Sequence, residues 1–134
     1  MWRQLSAALD DHVAQWKAMY QESCEATHVR GEQSDEVLDL RMRCLADNLD
    51  EVRALTDVLI DANGANVGQV VSAAGSLTPV AVCADVAALG ATVPLPRDES
   101  GRQIVERLRR QLNDVRALRE VGYTQAALNK AREL

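Results

Sequence analysis

Residues 35–62 read DEVLDLRMRCLADNLDEVRALTDVLIDA, and their apolar side chains recur every three or four positions. These side chains belong to Leu38, Met42, Leu45, Leu49, Val52, Leu55 and Leu59. This spacing places them on one face of an α-helix, close to the heptad seam of helices that pack side by side. Ser34 is a favourable N-cap before the run, and Asn63-Gly64 is a strong stop signal after it. The pattern predicts a long helix from about Asp35 to Ala62.

A second long helix is predicted before this one, from about Trp2 to His28. Its apolar positions follow the same helical period and are Trp2, Leu5, Leu9, Val13, Trp16 and Tyr20. Gly31 then favours the left-handed conformation that closes a helix, because it has no Cβ to clash. A short loop between two long helices makes them antiparallel neighbours. Residues 1–64 therefore predict a long helical hairpin, with helices of roughly 40 Å.

Residues 65–97 predict a pair of shorter helices and a joint. Asn66 can cap the first short helix, whose apolar positions are Val67, Val70, Val71, Ala74 and Leu77. Thr78-Pro79 is a typical start for the second, with the hydroxyl at the N-cap and proline at the first helical position. Its expected buried face consists of Val82, Cys83, Val86 and Leu89, and Gly90 ends it. Residues 93–96, Val-Pro-Leu-Pro, favour an extended joint, since proline disfavours helix in the preceding residue.

Residues 98–134 predict a third helix pair. A fifth helix starts near Asp98 or Ser100, and Gly122 ends it before a sixth begins at Tyr123. The apolar positions are Ile104, Leu108, Leu112, Val115 and Leu118, followed by Ala127, Leu128, Ala131 and Leu134. The sixth helix stops in mid-pattern, so we expect a piece of a longer protein. The fold class predicted for residues 1–134 is a single all-α domain of antiparallel hairpins, with about six helices.

Composition and charge argue against some classes of function. The chain has 134 residues, of which 47% are hydrophobic and 26% charged, as in globular domains. No apolar run approaches the roughly 20 residues that span a bilayer, and no leader for export stands at the start, so we expect no membrane insertion. Residues 1–96 hold six Lys/Arg against fourteen Asp/Glu, a net charge of −8, whereas residues 97–134 hold nine against six, a net charge of +3. Because a largely acidic chain repels phosphates, we expect no nucleic-acid partner.

The arginines of the fifth helix allow three interpretations. They are Arg102, Arg107, Arg109, Arg110, Arg116 and Arg119. A phosphate-binding helix is one interpretation, but no aromatic residues are interleaved with them and three acids dilute the charge. A solvated face is the simpler interpretation, with arginine stems covering apolar surface. The third is that this face docks against the acidic residues of the first hairpin or of a partner.

The three cysteines do not form the regular spacing of a disulfide framework, so free thiols packed in helices are the expectation. Cys24 and His28 lie four apart on one helix face, and Cys44 lies on the antiparallel helix. A module that senses a metal or a small molecule through these three residues is one alternative, although the paired Cys-x-x-Cys spacing typical of zinc sites is absent. A Cys24–Cys44 disulfide is another. We predict no cofactor, no metal and no catalytic residue, because a mid-helix cysteine has no oxyanion-stabilising backbone amide nearby.

Several longer strings point to a family. They are Trp16-Lys17-Ala18-Met19, residues 24–34 (CEATHVRGEQS), residues 38–45 (LDLRMRCL) and Cys83-Ala84-Asp85. Their succession resembles the region that follows the kinase domain, before or within the tetratricopeptide repeats, in large bacterial serine/threonine protein kinases of the myxobacterial type. Gly122-Tyr123-x-x-Ala126 is similar to the turn of a tetratricopeptide helix pair. The kinase signatures themselves, such as His-Arg-Asp and Asp-Phe-Gly, are absent from the chain.

The resemblance implies a non-catalytic segment that binds a protein or peptide, built as a right-handed, tetratricopeptide-like solenoid. It implies a regulatory or scaffolding role within a larger kinase. Two surfaces are the candidates for the partner: the groove between the short middle helices (Val70, Val82, Val86) and the basic face of the fifth helix (Arg107, Arg110). A homo-oligomer, in which the seam of residues 35–62 continues between two chains, is a further alternative. A cytoplasmic location is favoured, or a periplasmic one if the parent has a preceding membrane helix.

Overall fold

The computed structural model describes residues 2–61 and 67–134, with the backbone alone for Val67. Within these ranges the chain forms six α-helices and one 3-10 helix, and no strand. The α-helices are α1 (Trp2–His28), α2 (Asp35–Asp61), α3 (Val67–Gly75), α4 (Val86–Gly90), α5 (Glu99–Glu120) and α6 (Thr124–Arg132), and the 3-10 helix is Val80–Ala84. The all-α prediction is confirmed.

Helices α1 and α2 form the predicted antiparallel hairpin. Three contacts fix its register: His12 Nε2 lies 2.8 Å from Asn48 Oδ1, Trp16 Nε1 donates to the Leu45 carbonyl at 2.7 Å, and Arg41 Nη2 contacts Met19 Sδ at 3.1 Å. Residues of α1 that lie closer to the loop therefore contact residues of α2 that lie closer to the loop, as expected for antiparallel helices. The expected stop at Asn63-Gly64 and the expected cap at Asn66 lie outside the described residues.

The loop of this hairpin is held by a polar network around a buried arginine. Gly31 has a φ of 62°, which a side chain would strain. Gln33 Nε2 donates to the Ser23 carbonyl and to Thr27 Oγ1, and its Oε1 accepts from Arg41 Nη1 at 2.9 Å. Arg41 is buried, and its Nε has no hydrogen-bond partner among the described residues. Residues 30–34 (Arg-Gly-Glu-Gln-Ser) therefore have a structural role here, which is to hold the loop between α1 and α2 in place.

Two clusters of apolar side chains form the core. One lies toward the open end of the hairpin and comprises Leu5, Leu55, Val70, Ala73, Ala74 and Val121. The other lies level with the middle of the hairpin and comprises Leu45, Val80 and Cys83, with Trp16, Met19 and Met42 packed against it. The short elements that follow the hairpin thus pack onto it and complete the core. The 3-10 helix contacts both α1 and α2, and α3 contacts α1 and α5.

The apolar faces expected for the long helices are only partly correct. Leu45 and Leu55 are buried as expected, but Leu49, Trp2 and Tyr20 are exposed. Small side chains of α1, Ser23 and Ala26, are buried instead. A small residue allows close approach of a neighbouring element, and the Ser23 hydroxyl remains satisfied because it donates to the Met19 carbonyl at 2.7 Å.

The middle segment differs most from the expectation. The second short helix is split in two at Asp85, whose backbone (φ −79°, ψ 81°) leaves the helical region and whose carboxylate accepts from the Ala88 amide. The Thr78 hydroxyl does not cap the helix; it donates to Glu51 Oε1 at 2.8 Å on α2. Val82 and Val86, expected to be buried, are exposed, whereas Cys83 is fully buried. The first predicted short helix forms as α3, whereas the second is divided, so the prediction of a short helix pair over residues 65–97 is wrong for its second member.

The C-terminal hairpin forms where it was predicted. Asp98 caps α5 by accepting from the Gly101 amide at 2.6 Å, and Gly122 turns the chain into α6 with a φ of 94°. Helix α5 packs along α2, and α6 packs against α5. None of the helices in the described ranges has the length and apolarity needed to cross a membrane.

Candidate functional site

An open groove of about 1010 Å³ runs between α2 and the segment that leads from the 3-10 helix to α5. Its apolar lining comes mainly from Met42, Val82, Leu89, Val93 and Leu95. Its charged lining comes from both sides, with Asp39, Arg43, Asp47, Glu51, Arg97, Arg102, Glu106 and Arg109. Apolar surface flanked by charges of both signs suits a polypeptide ligand, which offers apolar side chains and polar groups together.

A disulfide fastens one wall of this groove to α2. It joins Cys44 to Cys83, with the two Cα atoms 5.5 Å apart. Cys83 is fully buried, whereas Cys44 is half-buried and lines the groove. The expectation of three free thiols is therefore wrong for these two residues and correct only for Cys24.

The alternative of a Cys24–Cys44 disulfide is also wrong, and the register of the hairpin explains why. Trp16 is level with Leu45, so Cys44 faces the middle of α1. Cys24 lies eight residues further toward the loop, about 12 Å along the helix. The partner of Cys44 comes instead from the 3-10 helix, which lies across both long helices.

The same register separates the three residues considered as a ligand-sensing site. His28 is exposed in the last turn of α1, Cys24 is a free, half-buried thiol, and the Cys44 sulfur is bonded to Cys83. The described part of the chain contains no group of three or more His, Cys, Asp or Glu side chains placed to hold a metal ion.

Two polar side chains of α2 hold the start of the groove wall at Thr78. Asn48 is buried, and its Nδ2 donates to the Thr78 carbonyl at 2.7 Å. Glu51 accepts from both the Thr78 amide (2.9 Å) and its hydroxyl (2.8 Å). Arg116 of α5 donates to the same Glu51 carboxylate at 3.1 Å. Residue 78 is thus bound through its carbonyl, amide and hydroxyl, which positions the start of the wall that Val82 continues.

Helix α5 closes the other side of the groove through a ladder of polar contacts with α2. Arg109 pairs with Asp47 at 3.1 Å, Asn113 donates to Asp50 at 2.9 Å, and Arg53 pairs with Asp114 at 3.0 Å. These contacts agree with the interpretation that the basic face of the fifth helix docks on the acidic first hairpin.

Two carboxyl groups of this ladder have pKa values shifted in opposite directions. Burial raises the pKa of Asp47, and the negative charges of neighbouring Asp50 and Glu51 raise it further, while Arg109 opposes them. Burial also raises the pKa of Asp50, but hydrogen bonds from Arg53 and Asn113 outweigh it, so the net pKa is lowered. The fold therefore favours the charged form of Asp50.

The structure separates the residues predicted to line a partner groove. Val70 is 7% exposed and belongs to the core, so its assignment to a surface groove is wrong. Val82 lines the observed groove, whereas Val86 is exposed on α4 outside its lining. Arg107 and Arg110 are exposed on α5, and Arg110 acts on Asp50 through its charge.

Two parts of the groove differ in how far the sequence predicts them. The Cys44–Cys83 pair carries no local signal, because its members are 39 residues apart in elements of different type. The wall at residues 93–96 did carry one: two prolines in four residues predicted an extended segment, and that segment now lines the groove.

Comparison of the chain with models of known protein families, with curated proteins and with solved structures finds no match.

Proposed function

We propose that this chain is a non-catalytic protein-interaction and scaffolding segment of a larger bacterial serine/threonine kinase, and that the groove beside α2 holds its partner. The observation that carries the proposal is the groove itself, with an apolar lining and charges of both signs. The hairpins α1–α2 and α5–α6 support a tetratricopeptide-like, right-handed arrangement, since such arrays are built from helical hairpins that form extended binding surfaces.

The groove favours an extended peptide segment as its ligand. Val93, Pro94, Leu95 and Pro96 form an extended, wholly apolar stretch along one wall, and Val82 and Leu89 supply further apolar contacts. An extended apolar wall can contact successive side chains of an extended ligand. Asp39 and Arg43 on α2 then offer one charge of each sign to the polar groups of that ligand.

The disulfide favours an oxidising compartment for this segment, and hence the periplasmic alternative. Disulfides persist in such compartments and are rare where thiols are kept reduced. The test is to trap thiols in intact cells with a membrane-permeant alkylating reagent and to count the labelled cysteines by mass spectrometry. One labelled cysteine, Cys24, supports the proposal, and three labelled cysteines contradict it.

The groove proposal is tested with a random-sequence peptide display library. Val82→Arg places a charge in the groove at a position that is already exposed, so the variant is expected to fold. Val29→Arg is the matched control, because Val29 is an exposed valine in the loop after α1, outside the groove. Peptides selected on the wild type should lose at least about tenfold in affinity for Val82→Arg and bind Val29→Arg unchanged. Peptides that bind all three proteins equally would refute the assignment of the groove.

A further inference from the structure

The groove wall that faces α2 is fixed more firmly at its two ends than in its middle. Before the wall, the chain is anchored in the core, where Val80 and Cys83 are 1% and 0% exposed. After the wall, the Asp98 carboxylate caps α5 by accepting from the Gly101 amide at 2.6 Å. Between these anchors none of the side chains of residues 84–97 is buried. We call residues 84–97 the wall segment.

The polar contacts of the wall segment are all local. The Asp85 carboxylate accepts from the Ala88 amide, and the Thr92 hydroxyl donates to the Leu89 carbonyl. The backbone hydrogen bonds that flank α4 also stay between residues 82 and 92. In the described part of the chain, no hydrogen bond or ion pair joins the wall segment to α1, α2 or α5. Its half-buried side chains are apolar and are Leu89, Leu95 and Pro96.

The Cys44–Cys83 disulfide ties the start of the wall segment to α2. Cys83 is the residue directly before the wall segment, and Cys44 belongs to α2. Without the bond, the nearest firm anchors in the described chain are the burial of Val80 and the hydrogen bonds of Thr78 to α2. The stretch between fixed points then lengthens toward Val80, and a longer stretch has more conformations available. The bond therefore restrains the position of the wall.

A reductant reaches this disulfide from the groove. Cys83 is fully buried, whereas Cys44 is half-buried and lines the groove. A thiolate of a dithiol therefore attacks the Cys44 sulfur, and Cys83 leaves as a thiolate that takes up a proton. The second thiol then attacks the reagent's own sulfur in this mixed disulfide and releases Cys44. The dithiol becomes a disulfide, and its two electrons and two protons end on the two cysteines.

We propose that the Cys44–Cys83 bond is a redox switch for the groove, opened by a dithiol reductant. With the bond closed, the wall segment stays against α2 and the groove holds its ligand. With the bond open, the wall segment leaves α2 and the groove loses most of its apolar wall. The loss of ligand affinity rests on the proposed peptide-binding function of the groove, whereas the release of the wall segment does not depend on it.

The position of Cys44 couples the switch to the ligand. Because Cys44 lines the groove, a bound ligand covers the sulfur that the dithiol attacks. Ligand binding and reduction therefore oppose each other, as linked equilibria require. In an oxidising compartment the closed form is the resting state, since disulfides persist there.

Hydrogen exchange followed by mass spectrometry tests the release of the wall segment without any ligand. The whole chain is compared before and after treatment with dithiothreitol, well below the melting temperature of the reduced protein, and thiol counting verifies complete reduction. We expect the protection of the amides of residues 85–92 to fall at least about tenfold, to near that of an unfolded chain, while the amides of α2 stay protected by a factor of at least about 100. Unchanged protection of residues 85–92 after full reduction, or its loss only together with that of α2, would overturn the proposal.

Fluorescence anisotropy tests the effect on the groove, with peptides selected from the display library on the oxidised wild type. Their affinity should fall at least about tenfold when dithiothreitol reduces the protein. Cys44→Ala/Cys83→Ala should bind as weakly as the reduced wild type, with or without dithiothreitol. Cys24→Ala is the matched control, because Cys24 is the free cysteine and its removal should leave the response to dithiothreitol unchanged. Circular dichroism verifies that each variant is folded.

The outcomes separate the switch from the proposed function. Equal affinity of the peptides for the oxidised and the reduced wild type would overturn the switch and leave the groove as a binding site. If no peptide is selected on the oxidised protein, the proposed function fails, and the exchange measurement still decides whether the bond holds the wall segment. A Cys24→Ala variant that no longer responds to dithiothreitol would assign the redox effect to Cys24 and refute its assignment to the Cys44–Cys83 bond.

Discussion

Breaking the Cys44–Cys83 bond should destabilise the domain strongly, and the size of the effect follows from the length of chain that the bond closes. The two cysteines are 39 residues apart. The chain-entropy relation for a loop of that length gives about 4 kcal/mol at 25 °C, gained by restricting the unfolded chain. For a domain of 134 residues, unfolding entropies near the melting temperature convert this into a decrease of about 14 °C in Tm.

The measurement is thermal unfolding followed by circular dichroism, with and without a phosphine reductant. The variant Cys44→Ala/Cys83→Ala should show the lower Tm in both conditions, and the wild type should approach it only after reduction. Cys24→Ala is the control, since Cys24 is free and should leave the response to reductant unchanged. A wild type whose thiols are shown by mass spectrometry to be fully reduced, yet whose Tm has not moved, would refute the reasoning.

Three smaller perturbations test other parts of the fold. Gln33→Ala removes the acceptor of the buried Arg41 guanidinium, and urea unfolding should show a loss of about 1–3 kcal/mol. The pKa of Asp50 is lower in the folded than in the unfolded state. The charged Asp50 therefore stabilises the fold above the pKa of an unfolded aspartate, and this contribution is lost as the pH falls through the pKa of Asp50 in the folded protein. Between pH 7 and about pH 3, Asp50→Asn should therefore lose less free energy of unfolding than the wild type. Gly122→Ala forces a side chain into the left-handed region and should lower the free energy of unfolding in urea by about 1–2 kcal/mol. Gly75→Ala is the control: Gly75 has open space around it and an ordinary φ, so this variant should be neutral or stabilising. Equal effects of the two substitutions would contradict the explanation.

The long elements were predictable because their signals are local. The run from Leu38 to Leu59 keeps one period for six turns, and α2 begins at the predicted residue, Asp35, and is described as far as Asp61. Gly31 and Gly122 supply the two positive φ values among the described residues, both at predicted ends of helices. Caps, stops and periods depend on neighbours within a few positions, so the sequence displays them directly.

The packing around those elements was less predictable because it depends on distant residues. Asn48, Glu51 and Thr78 meet across nearly thirty positions of chain, and nothing in the local sequence of any one of them indicates the contact. Thr78-Pro79 carries a convincing capping signal, yet Glu51 takes the hydroxyl. A tertiary carboxylate here outcompetes a local cap, which sequence pattern alone cannot show.

The candidate groove was predictable only in outline. A joint at residues 93–96 was expected, and Val82 was expected at a partner surface, but Val70 was placed beside it on the assumption that two short helices pair. The 3-10 helix packs instead against α1 and α2, and α4 packs against α2. Val70 packs in the core with Leu5 and Leu55.

Because of the polar ladder between α2 and α5, the two ends of the C-terminal hairpin are held by different kinds of interaction. Near Val121 the hairpin is anchored by apolar burial, which added salt does not weaken. Near Arg109 it is held by ion pairs that are partly open to solvent and are screened as ionic strength rises. Sub-global opening should therefore begin at the amino-terminal half of α5 and the Val93–Pro96 segment, and amide hydrogen exchange there should accelerate with added salt while the turn at Gly122 stays protected.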